Sequence, residues 1–159
     1  MLIYTYCDGS VIGNPGVGGW AYAYEVGAKR VTCSGGVDYT TNNAMELKAA
    51  IKALSGIIKR GLHLRHEVVV VSDSRYVING ASKWMEGWQR RGWKLATGEQ
   101  VANADLWKEL AVILKMVDVK WRWVKGHRNS VGNIAVDAMA LKAARHQKSK
   151  LAASELVPA

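Results

Sequence analysis

The feature that most constrains the fold is an uninterrupted apolar run of four valines at residues 68–71. A strand with one face in water alternates apolar and polar residues. This run is apolar on both faces, which is typical of a strand that is covered on both sides. Ser72 and Asp73 follow the run directly. The sequence therefore predicts a sheet with two covered faces and puts a carboxylate at the end of one inner strand.

Three segments near the N-terminus predict an antiparallel meander. Residues 2–7, 20–26 and 29–37 are rich in β-forming residues, and the first two alternate in polarity. The dipeptide at 27–28 is a two-residue hairpin signal between the second and third segments. The glycine-rich stretch at residues 13–19 predicts a turn between the first and second segments.

Beyond the meander, helical and strand patterns alternate. Residues 67–74 and 119–124 are predicted strands, and four other segments have helical patterns, namely 40–61, 75–94, 105–117 and 134–147. This order predicts an α/β fold in which a mixed sheet carries helices on its faces, in a single domain at residues 1–147. Residues 148–159 form a tail without a strong pattern, which we expect to be disordered.

The chain is strongly basic, with 22 Lys and Arg against 13 Asp and Glu and a net charge of +9. This charge favours a polyanionic partner such as nucleic acid or an anionic membrane, although it serves only solubility in many small basic proteins. No apolar run reaches the roughly 18 residues of a membrane-spanning helix, and the N-terminus lacks the regions of a secretory signal. We expect Cys7 and Cys33 to be buried, reduced thiols. We therefore expect a cytoplasmic monomer with no membrane partner.

Four acidic residues stand beside predicted buried structure. Asp8 follows the first predicted strand and Asp73 follows the valine run. If these strands are parallel neighbours, both carboxylates emerge at the same carboxyl edge of the sheet. Glu46 and Asp137 lie on predicted helices next to apolar positions. Each acid also has a structural alternative, because Asp8 could cap a turn, Asp73 could cap a helix, and the other two could favour a helix N-terminus.

If the four acids converge, their repulsion requires raised pKa values or bound cations. Carboxylate oxygens suit Mg²⁺ or Mn²⁺. Two such ions about 3.5–4 Å apart can act on a phosphodiester, one by activating water and one by stabilising the leaving oxygen. His127 precedes Asp137 by ten residues in a predicted loop. It could shuttle protons there, although a lone loop histidine is more often an ordinary surface residue.

Two further segments carry groups that suit nucleic acid. Asn14, Asn42 and Asn43 are short polar residues near the acids, and such groups can bond to a 2′-hydroxyl and to base edges in a shallow minor groove. Residues 82–94 interleave tryptophans with cations, and Trp84 shares a helix face with the tryptophan one turn later. The cations could bind phosphates, or they could be the solvated rim of a small aromatic core.

Together these residues resemble the bacterial-type ribonuclease H family. The matching segments run in the family's order from about residue 4 to residue 144: "DGS" with "GNPG.GG", "TTNNAMEL", "SDSRYV", "GW..RGWK", "DLW", "W.WVKGH" and "N...D". The resemblance implies a ribonuclease H-like fold, with a five-stranded mixed sheet whose second strand is antiparallel to the others and a basic protrusion at residues 82–94. It also implies hydrolysis of the RNA strand of RNA–DNA hybrids by two metal ions, Mg²⁺ with Mn²⁺ able to substitute. The products that the resemblance implies are 5′-phosphate and 3′-hydroxyl ends.

The resemblance also assigns roles by position. The implied metal ligands and catalytic acids are Asp8, Glu46, Asp73 and Asp137, and His127 is the implied auxiliary histidine. The implied substrate contacts are Asn14, Asn42, Asn43 and Arg75 for the hybrid minor groove, Thr41 and Asn103 for a DNA-strand phosphate, and Trp84, Arg90, Arg91 and Lys94 for the DNA strand.

The sequence departs from the family pattern at three points, of which the two near His127 bear on the role of that histidine. The loop after His127 lacks a glycine often found there and carries Ile134 in place of a frequent glutamate, and residues 56–67 are longer than in relatives.

Two other function classes stay open. A hybrid-binding module without catalysis is one, although the complete set of acids argues against it. A polynucleotidyl transferase such as an integrase or resolvase is the other, but such proteins lack the "TTNN.MEL" and "GW..RGWK" segments.

Overall fold

The computed structural model of the protein describes residues 1–125 and 131–155. The strands are β1 (Leu2–Ile12), β2 (Gly16–Val26), β3 (Lys29–Thr40), β4 (Glu67–Ser72) and β5 (Val119–Trp123). They form one five-stranded sheet in the order β3-β2-β1-β4-β5, with β2 antiparallel to β1 and β3, and with β4 and β5 parallel to β1. The predicted mixed sheet with an antiparallel second strand is therefore confirmed.

Helices flank this sheet. They are α1 (Asn42–Lys59), α2 (Arg75–Asn79), α3 (Met85–Arg90), α4 (Ala104–Leu114) and α5 (Val131–Glu155). A π-helical turn, Gly80–Trp84, joins α2 to α3. In the long 56–67 segment, α1 ends at Lys59 and a short 3₁₀ helix follows at Leu62–Leu64. In the two stretches that the structure describes, no helix has the length and apolar character needed to cross a membrane.

The hydrophobic core lies on both faces of the sheet, as the valine run predicts, and residues 68–71 are all buried. Successive residues of β2 point to opposite faces. Trp20 and Tyr22 belong to the larger apolar cluster, which includes residues of α1 and α4. Ala21, on the other face, packs with Val136 and Ala140 of α5. The two layers of helices therefore cover the inner strands on both sides.

A glycine in β2 lets α5 lie close against the sheet. A Cβ atom added to Gly19 would collide with the Ala140 carbonyl oxygen and would lie 2.5 Å from the Ala144 nitrogen. Ala140 and Ala144 are both buried and carry small side chains. This close packing fixes the position of α5, and with it the position of Asp137 on the same helix.

β1 is longer than predicted. Its ladder with β4 ends at the Tyr6–Val71 pair, but its pairing with β2 continues to Ile12. Asp8 therefore lies inside a strand, two residues beyond the end of the parallel ladder, and not at a strand end. A sequence pattern cannot show this, because the "GS" residues after Asp8 look like a turn until β2 pairs with them.

The last helix is also longer than predicted, since it runs to Glu155. The predicted boundary between the domain at 1–147 and the tail at 148–159 thus lies inside α5, and residues 148–155 are helical. Within the predicted part of this helix, α5 contacts the edge strand β3. The Gln147 Nε2 donates a hydrogen bond to Asp38 Oδ1 at 2.5 Å, and the Gln147 side chain packs over Gly36.

The two cysteines differ in environment. Cys7 is buried in β1 and Cys33 is exposed on β3, and both are free thiols. The expectation of a buried thiol is therefore right for Cys7 and wrong for Cys33, because β3 is an edge strand whose residues are largely exposed.

We expect Gly19→Ala to destabilise the fold, because the added methyl group must push α5 away from β2. The free energy of unfolding should fall by roughly 1–3 kcal/mol. Urea denaturation with a matched Ser34→Ala variant, exposed on the neighbouring strand, checks this, and the control should change by less than about 0.5 kcal/mol. Equal stability of Gly19→Ala and wild type would contradict the close packing of α5.

Candidate active site

Three of the predicted acids meet at one edge of the sheet. One carboxylate oxygen from each of Asp8, Glu46 and Asp73 lies within 4.8 Å of the others. Asp8 comes from β1 and Asp73 follows β4, the two parallel neighbours, while Glu46 comes from α1. The predicted convergence at the carboxyl edge is confirmed for these three acids, which the chain order separates by up to 65 positions (73 − 8 = 65).

Gly9 makes this convergence possible. A Cβ atom at Gly9 would lie 2.5 Å from the Glu46 backbone nitrogen and 2.6 Å from the Met45 carbonyl carbon. Only a residue without a side chain therefore lets α1 approach β1 closely enough to bring Glu46 beside Asp8. Gly9 belongs to the "DGS" segment, and the only local signal of its role is a glycine directly after a carboxylate.

The carboxylates of Asp8 and Glu46 are buried together. Asp8 Oδ1 accepts a hydrogen bond from the Gly9 N–H at 2.9 Å. Within the described part of the chain, no hydrogen-bond donor reaches the buried oxygens Asp8 Oδ2 and Glu46 Oε2. Buried acceptors without donors are costly unless a cation or proton satisfies them. Closely spaced carboxylate oxygens with free lone pairs are also the ligands that hard divalent cations prefer, so these residues fit a metal site.

The same burial shifts the titration of both acids. Burial raises the pKa of Asp8 to about 7, and the negative charge of Asp73 adds to the rise. Burial and the neighbouring Asp8 carboxylate raise the pKa of Glu46 well above its usual value. The cause is the high free energy of adjacent charges in a site with little water, which a bound cation would offset.

The fourth acid lies beside this group. Asp137 is half-buried on α5, and its interaction with the Asp8 side chain contributes to the raised pKa of Asp8. It is not one of the three acids within 4.8 Å of one another. Asp137 therefore flanks the group from the α5 side, next to Asp8.

The structural alternatives for three of the acids are not observed. The N-cap of α2 is Ser74, whose hydroxyl oxygen accepts a hydrogen bond from the Val77 N–H at 3.2 Å, so Asp73 does not cap that helix. Thr41 caps α1, and Glu46 lies beyond the first turn. Asp8 is inside a strand and caps no turn.

Five of the predicted substrate contacts line one groove with a cavity volume of about 530 Å³; they are Asn14, Thr41, Asn42, Asn43 and Asn103. The groove also contains Tyr76, to which the sequence analysis gave no role although it lies within the "SDSRYV" segment. The Tyr76 hydroxyl accepts hydrogen bonds from Asn103 Nδ2 at 3.1 Å and from Trp107 Nε1 at 2.9 Å. It thus ties the groove to the core.

The groove is also held by its own side chains. Asn14 Oδ1 accepts a hydrogen bond from the Asn42 N–H at 3.0 Å, which links the β1–β2 turn to the start of α1. The Thr41 hydroxyl oxygen accepts from the Ala44 N–H at 3.3 Å. These hydrogen bonds restrict the positions of the Asn14 and Thr41 side chains in the groove.

In the basic protrusion at residues 82–94, tryptophans form a small aromatic core and cations lie on the surface around it. Trp88 is buried against Trp107, with ring centroids 5.2 Å apart, whereas Trp84 packs on Trp88 at 5.9 Å and is 41% exposed. The predicted shared face of the two tryptophans is confirmed. The surrounding cations are exposed, and they are Lys83, Arg90, Arg91 and Lys94. Aromatic residues therefore support the protrusion, and its cations face solvent.

The remaining assignments are separate from these two surfaces. Arg75 is exposed, and its guanidinium carbon lies 4.1 Å from the centroid of the Trp123 ring. His127 lies outside the described residues, so its predicted position beside the acids stays a prediction.

Known proteins that resemble this chain are ribonucleases H. The RNase H family model matches residues 2–145. A ribonuclease H from Polynucleobacter asymbioticus is 44% identical over 142 residues, covering 89% of this chain and 88% of its own length. A ribonuclease HI from Neisseria meningitidis serogroup B is 42% identical over 144 residues, covering 91% of this chain and 96% of its own length.

Solved structures agree. LC9-RNase H1, described as a type 1 RNase H with the type 2 active-site motif, superposes with a TM-score of 0.81 at 33% identity, covering 92% of this chain and 73% of that one. LC11-RNase H1 in complex with RNA/DNA hybrid has the same fold, with a TM-score of 0.70 at 22% identity, covering 91% of this chain and 97% of that one.

Because the Asp8 carboxyl is buried, we expect the free energy of unfolding of the metal-free protein to fall as the pH rises. The carboxyl ionises near 3.8 when unfolded and near 7 when folded, so the stabilisation present below pH 4 is lost as the pH rises through 7. Asp8→Asn should therefore raise the free energy of unfolding at pH 8 in chelator by roughly 2–4 kcal/mol, and change it little at pH 4.

Urea denaturation at both pH values measures this, with Asp118→Asn, an exposed carboxyl, as the matched control. We expect millimolar Mg²⁺ to stabilise the wild type at pH 8 and to stabilise Asp8→Asn less. The same gain from Asp8→Asn at pH 4 and pH 8 would show that charge burial is not the cause.

Proposed function

The chain belongs to the ribonuclease H family, and on that premise we propose that it is an endoribonuclease that hydrolyses the RNA strand of RNA–DNA hybrids, leaving 5′-phosphate and 3′-hydroxyl ends. The observation that carries the proposal is the approach of Asp8, Glu46 and Asp73 to within 4.8 Å of one another. The hybrid bound in the LC11-RNase H1 structure supports the choice of substrate. The complete set of acids in a ribonuclease H framework supports hydrolysis over binding alone.

We further propose that Asp8, Glu46, Asp73 and Asp137 hold two Mg²⁺ ions when substrate is bound, with Mn²⁺ able to substitute. When bound, such ions supply Lewis-acid stabilisation of the charge that develops on a scissile phosphate and lower the pKa of water. Asp8 and Glu46 contribute charge in a site that excludes water, where their attraction for a cation is strong. His127 is proposed to move a proton at the edge of the site, as an auxiliary catalytic residue.

The groove and the protrusion are proposed to hold the two strands of the hybrid. Asn14, Asn42 and Asn43 offer amide groups that can bond to 2′-hydroxyls and to base edges in the minor groove, and Arg75 is proposed to contact the same groove of the hybrid. Thr41 and Asn103 are proposed to contact a DNA-strand phosphate. The protrusion is proposed to grip the DNA strand through Trp84, Arg90, Arg91 and Lys94.

We also propose that the protein acts as a monomer in the cytoplasm. All four acids of the site come from one chain, so the site does not need a second copy to be complete. The free thiols of Cys7 and Cys33 fit reducing surroundings. Sedimentation of the free protein and of its hybrid complex tests the monomeric state.

The function is tested by incubating end-labelled RNA–DNA hybrid, duplex DNA and duplex RNA with the protein, in Mg²⁺ and in chelator. We expect loss of the hybrid's RNA strand alone, in Mg²⁺ alone. Binding of hybrid without cleavage would instead indicate a binding module, and cutting or joining of DNA would indicate a transferase.

We expect Asp8→Asn to lower kcat at least about 1,000-fold, because the substitution removes one charged ligand and keeps the shape of the side chain. Hybrid affinity in chelator should stay within about 2-fold of wild type, since phosphate contacts dominate it. Single-turnover cleavage and fluorescence anisotropy measure the two quantities, with Asp118→Asn as the control. Turnover near the wild-type rate would remove Asp8 from the catalytic set.

Replacing Arg90 and Arg91 by alanine should weaken hybrid binding and reduce the slope of log Kd against log salt by about 1–2, because each phosphate contact adds about 0.9 to that slope. The matched control is Lys148→Ala with Lys150→Ala, which removes the same charge from exposed positions on α5. An unchanged slope in the arginine variant, or an equal change in both variants, would show that Arg90 and Arg91 are solvated surface residues that do not contact phosphates.

A further inference from the structure

We propose that Trp123 is a positioning residue that uses one indole ring to hold two parts of the site, the backbone at Asp73 and the guanidinium of Arg75. The inference rests on the proposed function, because it gives a task within that site to a residue that otherwise has none. Trp123 belongs to the "W.WVKGH" segment, and it contacts the backbone of Asp73, a member of the acidic group formed by Asp8, Glu46 and Asp73.

The edge of the indole holds the turn that carries Asp73. Trp123 is the last residue of β5 and pairs with Ser72, the last residue of β4. Its Nε1–H donates a hydrogen bond to the Asp73 carbonyl oxygen at 3.0 Å. The next backbone N–H, of Val124, donates to the Ser72 carbonyl oxygen at 3.0 Å. The indole therefore extends the β4–β5 ladder by one bond, at the residue whose carboxylate joins the acidic group.

A second bond inside the turn limits its conformations further. The Ser72 hydroxyl oxygen accepts a hydrogen bond from the Ser74 N–H at 3.1 Å, and Ser72 is completely buried. The peptide group before Asp73 is thus held by the Val124 N–H, and the peptide group after it by the Trp123 indole and the Ser72 hydroxyl. With its backbone fixed on both sides, the Asp73 carboxylate has only its own side-chain rotamers left to sample.

The face of the indole holds Arg75. The guanidinium carbon of Arg75 lies 4.1 Å from the ring centroid, within the range of a cation–π contact. Arg75 is exposed, and a long exposed side chain otherwise samples many rotamers. Stacking on a half-buried ring removes part of that freedom before a ligand binds, which reduces the entropy cost of binding.

The two contacts use different parts of the ring, so substitutions can separate them. Trp123→Phe keeps an aromatic face for Arg75 and removes the N–H that reaches Asp73. Trp123→Leu removes both. If the proposal is right, loss of the N–H affects the acidic group and its metal affinity, and loss of the face affects hybrid binding through Arg75.

The experiment measures four quantities for each variant: the Kd for Mg²⁺ by NMR titration, the Kd for hybrid in chelator by anisotropy, and kcat and KM in Mg²⁺. For Trp123→Phe we expect the Kd for Mg²⁺ to rise and kcat to fall by about 3- to 10-fold, with the hybrid Kd within about 2-fold of wild type. For Trp123→Leu we expect the same changes plus an increase of about 3- to 10-fold in the hybrid Kd.

A double-mutant cycle tests the stack itself. Arg75→Ala should weaken hybrid binding in the wild-type and Trp123→Phe backgrounds, and by less than about 2-fold in Trp123→Leu, where the stack is already lost. If Trp123→Leu does not fold, Arg75→Lys replaces it, since lysine keeps the charge without the planar stack, and it should weaken hybrid binding by about 2- to 5-fold.

Trp121→Phe is the matched control, because Trp121 lies two residues earlier in β5 and packs against the apolar core. It should lower thermal stability without altering the four quantities. Wild-type Mg²⁺ affinity and kcat in Trp123→Phe, or an undiminished effect of Arg75→Ala in Trp123→Leu, would overturn the proposal. If the wild-type protein does not cleave hybrid, the proposed function is contradicted. The Mg²⁺ titration of Trp123→Phe would still test whether the Trp123 N–H positions Asp73, because it does not depend on cleavage.

Discussion

The repulsion between carboxylates buried side by side is the interaction on which the site depends. Asp8 and Glu46 are both buried, and each has an oxygen that no donor within the described residues satisfies. In a low-dielectric environment such a pair is unstable as two charges, and it is tolerated only with a proton or a cation between the oxygens. The acidic group is therefore a place where the fold accepts a local cost that ligand binding can remove.

The rest of the fold is arranged so that these groups cannot move apart. The parallel ladder of β1 and β4 aligns Asp8 and Asp73 at one edge, and Gly9 lets α1 approach until Glu46 reaches them. On the other face, Gly19 allows equally close packing of α5, which carries Asp137. Two glycines and a two-sided core thus hold the acids in place against their repulsion, because moving a helix away from the sheet would break its buried apolar contacts.

A continuous line of aromatic residues joins the two surfaces proposed for the hybrid. Tyr76 in the asparagine groove packs on Trp107 with ring centroids 5.4 Å apart, and Trp107 in turn contacts Trp88 in the protrusion. Trp88 contacts the exposed Trp84. Rings packed in this way resist bending, so the protrusion keeps a fixed distance and orientation relative to the groove. Two strands of a duplex need such a fixed separation between their binding surfaces.

The sequence by itself determined the kind of sheet, its covered faces and the identity of the acids, because the valine run and the polarity patterns are local signals and the spaced motifs are specific. It did not determine the full length of β1, since Ser10 pairs with Gly19 only in the folded sheet, nor that of α5, since residues 148–155 carry no strong helical pattern. It also missed Gly9, Tyr76 and Trp123, whose roles are contacts with distant elements. Which oxygens meet, and which side chains hold them, was decided by tertiary packing, because a local pattern carries no information about distances across the sheet.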